Sequence, residues 1–146
     1  MSRVQLALNV ADLDSAVVFY TKLFGTEPAK LRPGYANFAV AAPPLKLILI
    51  EGHGMPGTLN HLGVEVESSD EVRAAHERLV HAGLAAAPEH NVACCHAVQD
   101  KVWVDDPDGA PGEVYTVLEH VQTDAGQLRT PDPANGSACC SVTPGA

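Results

Sequence analysis

The chain reads as two copies of one pattern, and that duplication restricts its fold more than any other feature. When the segment from Val4 is laid against the segment from Asn60, Gln5-Leu6-Ala7-Leu8-Asn9-Val10 faces His61-Leu62-Gly63-Val64-Glu65-Val66, and the same alignment carries Asp14 onto Asp70. Apolar residues alternate in both stretches, which predicts strands with one buried face. A spacing of three and four follows each strand: Leu13, Ala16, Val17, Tyr20, Leu23 and Phe24 in the first copy, Val72, Ala75, Leu79 and Val80 in the second. Residues so spaced share one face of a helix, so each copy predicts one. Gly25 and Gly83 end these helices. Asp12 is the expected cap of the first, and Ser68-x-x-Glu71 has the spacing at which two side chains satisfy each other's first-turn amides.

Beyond the first helix, Tyr35 to Val40 and Leu45 to Ile50 predict strands joined by the Ala41-Ala42-Pro43-Pro44 turn. Beyond the second, Lys101 to Val104 and Glu113 to Leu118 repeat the arrangement around Asp105-Asp106-Pro107-Asp108-Gly109. A weaker strand between each helix and its hairpin completes two βαβββ modules, at residues of about 2–55 and 57–121. The fold class that follows is α+β, and two βαβββ modules of this kind can form a curved mixed sheet around a shared cleft, the candidate place for a metal. Residues 123–146 are rich in Pro, Gly, Ser, Thr and Ala without periodicity, which predicts a disordered tail beyond a domain of 1–122.

With 146 residues and 46% hydrophobic content the chain suits one domain, not two. Its net charge of -9 argues against nucleic acid or an anionic membrane surface as a partner, because both need basic patches. No apolar run approaches a bilayer span, and Met1 to Asn9 shows no small-residue cleavage site, so neither membrane insertion nor secretion is expected. The cysteines form two adjacent pairs, Cys94-Cys95 and Cys139-Cys140. Bonding neighbours strains the intervening peptide, so these are expected to be reduced thiols in the cytoplasm. The repeats can pair within one chain or between two, leaving monomer and homodimer open.

Repeated modules curving around a shared cleft can bring their first and last strands to one point. Gln5 and His61 occupy equivalent places on the two first strands, and Glu113 lies on the last. Amide, imidazole and carboxylate make a mixed nitrogen and oxygen donor set suited to Fe(II), Mn(II), Ni(II) or Zn(II). Taken singly, Gln5 is an ordinary strand residue, His61 a satisfied buried histidine and Glu113 a solvated edge residue. Only their shared placement in the repeat points to a metal. Three protein ligands would leave positions for substrate and dioxygen, whereas a fourth, Glu51, would make the site look more like an isomerase.

These residues, with Asn60-His61-Leu62-Gly63-Val64 and Asp106-Pro107-Asp108-Gly109 leading to Glu113, resemble the vicinal oxygen chelate superfamily over about Ser2 to Val121. That superfamily includes glyoxalase I, extradiol dioxygenases and fosfomycin and bleomycin resistance proteins, so the resemblance implies architecture more firmly than reaction. The stretch Asn91-Val92-Ala93-Cys94-Cys95-His96-Ala97-Val98-Gln99-Asp100-Lys101-Val102-Trp103-Val104 is more specific, and Leu8-Asn9-Val10-x-Asp12-Leu13 with Phe19-Tyr20 accompanies it. Together they resemble the carbon-arsenic lyase branch, which also includes cadmium-induced proteins.

The resemblance implies that Gln5, His61 and Glu113 bind Fe(II) as the catalytic centre, with dioxygen as co-substrate. It also implies that Cys94 and Cys95 hold the trivalent arsenic of a small organoarsenical substrate. Trivalent arsenic is soft and thiophilic, so two neighbouring sulfurs can chelate it for one shared ordering cost. Both cysteines lie on a connection between Pro88 and Asp100, where a mobile loop is expected. Two other functions remain compatible with these residues: a thiol-based cadmium- or arsenite-sequestering protein, and a transferase or isomerase like the fosfomycin resistance proteins or glyoxalase I.

Overall fold

The structure is a computed structural model that describes residues 2–94 and 97–120. The elements run β1 (Arg3–Val10), α1 (Leu13–Phe24), β2 (Lys30–Arg32), β3 (Tyr35–Val40), β4 (Leu45–Glu51), β5 (Leu59–Glu65), α2 (Ser69–His81), β6 (Ala86–Cys94), β7 (Ala97–Asp105) and β8 (Pro111–His120). This is the α+β pattern of two βαβββ modules, with β2 and β6 as the weaker strands. Two compact units divide the chain between Val64 and Glu65, so β5 as far as Val64 packs with the first. The expected tail at 123–146, with Cys139 and Cys140, lies outside the described residues, as does Cys95.

In the first unit the strand order is β2-β3-β4-β1-β5. The β3–β4 hairpin is antiparallel, with Phe38 opposite Leu47, while β1 joins β4 in parallel with Gln5 opposite Lys46. Parallel neighbours need a crossover, and α1 supplies it. Its stripe of Leu13, Ala16, Val17, Tyr20 and Phe24 covers Leu6, Leu8 and Val10 of β1 and a core of Ala36, Phe38, Val40, Leu47 and Leu49. Leu23, expected on that stripe, is instead 60% exposed, since about 100° per residue puts it at the flank of the face centred on Leu13, Tyr20 and Phe24. Gly25 closes the helix in the left-handed conformation, φ 62°, which costs a residue without Cβ little.

Both faces of β1 are covered. Its apolar residues meet α1, while Gln5, Ala7 and Asn9, on the opposite face, are also buried. In β5 the pattern reverses the expectation: His61 and Gly63 are buried, whereas Leu62 and Val64 are exposed.

In the second unit β6, β7 and β8 form an antiparallel meander backed by α2. Val72, Ala75 and Leu79 pack with Val102 and with Val66, Ala86, Val104 and Val114. Val80 stays exposed. The Ser68 hydroxyl accepts from the Glu71 amide at 3.2 Å, and the Glu71 carboxylate reaches back to the Glu67 amide at 2.8 Å, so the capping pair forms one residue further out than the standard box. At the other end Leu84 N–H donates to Leu79 O and Gly83 N–H to Val80 O, both at 3.0 Å, with Gly83 at φ 83°.

Candidate metal centre

Within the first unit, β1 and β5 bring Gln5 and His61 together, at 2% and 3% exposure. Gln5 Nε2 lies 3.0 Å from His61 Nε2. An amide nitrogen can only donate, so His61 Nε2 accepts and carries a lone pair. His61 Nδ1 lies 2.7 Å from Asn60 Oδ1, an acceptor, an arrangement that matches the tautomer protonated on Nδ1. An imidazole with one nitrogen anchored and the other presenting its lone pair is the form that ligates metals. Rotating the Gln5 amide would present its oxygen to the same position.

Within the second unit, Glu113 of β8 lies opposite Trp103 of β7, and Lys101 lies opposite Tyr115. All four side chains therefore share one sheet face. The Lys101 ammonium sits 2.9 Å from Glu113 Oε2, with both side chains almost wholly removed from solvent. It also lies 5.1 Å from the Trp103 ring centroid and 5.9 Å from that of Tyr115, which adds two cation–π contacts. The Tyr115 hydroxyl donates to Glu65 Oε2 at 2.9 Å. The buried ammonium was not foreseen from sequence, where a lysine beginning a strand reads as solvent-facing. The usable signal was its period-two spacing from Gln99 and Trp103.

Glu51 has a different task from the fourth-ligand role left open above. Its Oε2 accepts from the Leu13 amide at 2.8 Å, capping α1 from the end of β4. Asp12 is the N-cap residue, as expected, and its carbonyl accepts from the Ala16 amide at 3.1 Å, but its side chain accepts from Ser15 Oγ and makes no capping bond to a helix amide.

The connection from Pro88 to Asp100 is not the long loop expected. It forms the β6–β7 ladder, in register from Ala86 opposite Val104 to Cys94 opposite Ala97, with an irregularity between Glu89 and Val92. Asn91 there adopts φ 54°, and its amide donates to Asp100 Oδ1 at 2.8 Å while Ser69 Oγ donates to Oδ2 at 2.6 Å. These two hydrogen bonds, the Ser69 one foremost, hold the Asp100 carboxyl below its ordinary range. Cys94 thus ends a paired strand. Among the described residues no group of three or more His, Cys, Asp or Glu side chains is placed to hold a metal, so an ion there would need the Gln5 amide or residues not described.

A family model for the "Glyoxalase/Bleomycin resistance protein/Dioxygenase superfamily" matches residues 3–114. The chain is 58% identical over 142 residues to a "Trivalent organoarsenical cleaving enzyme" of Thermomonospora curvata, covering 97% of this chain and 89% of that one. It is 57% identical over 142 residues to the "Cadmium-induced protein CadI" of Mycobacterium tuberculosis, covering 96% and 93%. Among solved structures, an extradiol ring-cleaving dioxygenase from B. fuscum superposes with a TM-score of 0.60 at 20% identity, over 82% of this chain and 34% of that one. The chain belongs to the glyoxalase, bleomycin resistance protein and dioxygenase superfamily, the vicinal oxygen chelate proteins that its motifs resemble.

Proposed function

We propose that this protein is a non-haem Fe(II)-dependent dioxygenase that cleaves the carbon–arsenic bond of trivalent organoarsenicals, methylarsenite or aromatic, and releases arsenite in detoxification. The observation that carries the reading is the 58% identity, over nearly the whole chain, to a relative named for that cleavage. The adjacent Cys94 and Cys95 suit the substrate. Each thiol would form a sulfur–arsenic bond, with the two arsenic hydroxyls leaving as water. Gln5, His61 and Glu113 are the proposed metal ligands, and the donors fit: a neutral imidazole lone pair, an amide and a carboxylate form the set that Fe(II) accepts.

A bound Fe(II) would supply dioxygen activation. The chain's own part is to fix the His61 ring through Asn60, hold the Glu113 charge against Lys101, and present the tethered arsenical in one orientation. The stoichiometry is self-contained, because methylarsenous acid plus dioxygen contain the atoms of arsenous acid plus formaldehyde. The methyl carbon supplies the four electrons that dioxygen takes up, so no outside reductant enters. A cytoplasmic setting, where thiols stay reduced, belongs to this reading.

The test is to load the protein with Fe(II) anaerobically, add methylarsenite, and then admit air. Arsenite and formaldehyde should appear together and only after air; release without oxygen, or none at all, would overturn the proposal. The 57% identity to a cadmium-induced protein favours a second reading, thiol-based sequestration of cadmium or arsenite. It predicts stoichiometric capture without turnover, unaffected by Glu113→Ala.

A further inference from the structure

We infer that Thr58, Asn9 and Asn60 form a one-way hydrogen-bond relay, anchored on the Met55 carbonyl, that sets the tautomer of His61 and so makes its Nε2 available to a metal. Reading Nε2 as a ligand rests on the proposed function; the relay itself does not. The chain of contacts begins at the backbone. The Thr58 hydroxyl donates to Met55 O at 2.5 Å, and its oxygen therefore accepts from Asn9 Nδ2 at 3.0 Å. That orients the Asn9 amide with its oxygen toward Asn60, whose Nδ2 donates to it at 3.0 Å. Asn60 in turn presents Oδ1 to His61 Nδ1 at 2.7 Å, and Nε2 faces the Gln5 amide at 3.0 Å.

Direction is the important property. Side-chain amides can be turned end for end, and turning Asn9, Asn60 and Gln5 together would give an equally connected chain with the proton on Nε2, where no metal could bind. A hydroxyl carries one proton, however, and a backbone carbonyl can only accept. Committing the Thr58 proton to Met55 O orients the Asn9 and Asn60 amides as observed and places a proton on His61 Nδ1, which in the uncharged ring leaves Nε2 with its lone pair. Further support comes from the backbone: Asn9 N–H donates to Thr58 O at 2.9 Å and Gly57 N–H to Asn9 O at 3.0 Å, which fixes the separation of Asn9 from the loop. The loop's approach also explains Gly54, since a Cβ there would lie 2.6 Å from Asn9 Nδ2 and 2.8 Å from its Cγ. Thr58, Asn9, Asn60 and Gly54 are positioning residues.

The experiment uses the full chain, stripped with chelator and labelled with nitrogen-15 in its histidines. Long-range proton–nitrogen spectra report which ring nitrogen bears the proton. Wild type should show His61 protonated at Nδ1 alone. Thr58→Val removes the hydroxyl with little change of shape, and Gly54→Ala displaces Asn9 without touching the histidine. Both should bring in the Nε2-protonated form, as should Asn60→Ala, whereas Asn60→Asp, which still accepts from Nδ1, should keep the wild-type tautomer. Cobalt(II) affinity, read by competition with a chelator, should fall by roughly 10–100-fold in the first three variants. A wild type protonated at Nε2, or folded Thr58→Val and Gly54→Ala proteins with unchanged tautomers, would overturn the relay. Tautomers that change while cobalt affinity holds would retain the relay and overturn His61 as the ligand.

Discussion

Lys101→Met should destabilise the metal-free protein far more than the loss of one ion pair at a surface would. The ammonium is fully buried, 2.9 Å from a Glu113 carboxylate that is itself 6% exposed, so removing it leaves a negative charge in a medium that solvates it poorly. Breaking such a pair from one side costs about 3–5 kcal/mol, against about 0–1 kcal/mol for an exposed pair. Glu113→Gln should cost a similar amount by leaving the ammonium. The double variant Lys101→Met/Glu113→Gln buries no charge, and its loss should fall short of the sum of the two by about 2–3 kcal/mol. Urea unfolding in excess chelator measures all four corners. With a slope of about 2 kcal/mol/M, each single substitution should lower the midpoint by roughly 1.5–2.5 M, and the double variant by clearly less than the two together. Singles within about 1 kcal/mol of wild type, adding without coupling, would refute the claim that this pair is a dry, mutually dependent unit.

Glu51→Gln should weaken the start of α1 by about 0.5–2 kcal/mol through the Leu13 amide, and leave the metal content of loaded protein unchanged, which urea midpoints and metal analysis check. Phe38→Ala, at 0% exposure in the first core, should cost about 3–5 kcal/mol in the same unfolding assay. Asp100 has a folded pKa below its ordinary value of 3.8, so its bonds to Ser69 and Asn91 stabilise the fold in full above that pH and are lost as pH falls through the lower folded value. Asp100→Asn should therefore unfold at lower urea than wild type near neutrality, with the gap closing below about pH 4.

Where local periodicity governs structure, the sequence was legible. The helix stripes apart from Leu23 and Val80, the hairpins, the glycine helix ends and the Ser68–Glu71 cap all follow from neighbours within a few residues. What escaped is decided at a distance. The α1 cap comes from Glu51, on the far side of a hairpin, and no local pattern points to it. Alternation in β5 identified a strand but assigned its apolar side to the interior, whereas His61 is buried and Leu62 is 46% exposed. Hydrophobicity selects a buried face only when polar side chains lack partners inside, and Gln5 and Asn60 are partners for His61. The burial of Lys101 was not legible for the same reason, since it depends on the carboxylate and rings of other positions. The segment ending at Cys94 is polar enough to read as a loop, yet its backbone pairs with β7, and Asp100 holds its irregular turn. The repeat, which compares distant positions directly, is what paired Gln5 with His61, and the structure brings these two side chains within 3.0 Å.

The proposed ligands have protein partners of their own: the Gln5 amide and the His61 ring meet at 3.0 Å, so each answers the other's hydrogen-bonding group. Glu113 is charged, and Lys101 supplies the balance within its own unit. The apolar cores around Phe38 and Leu49 in the first unit and Val102 in the second are built without the proposed ligands. The Gln5–His61 bond is worth only about 0.5–1.5 kcal/mol net, so a cation can replace it at small cost. If these residues are the ligands, their existing partners would spare an incoming ion part of the cost of ordering them.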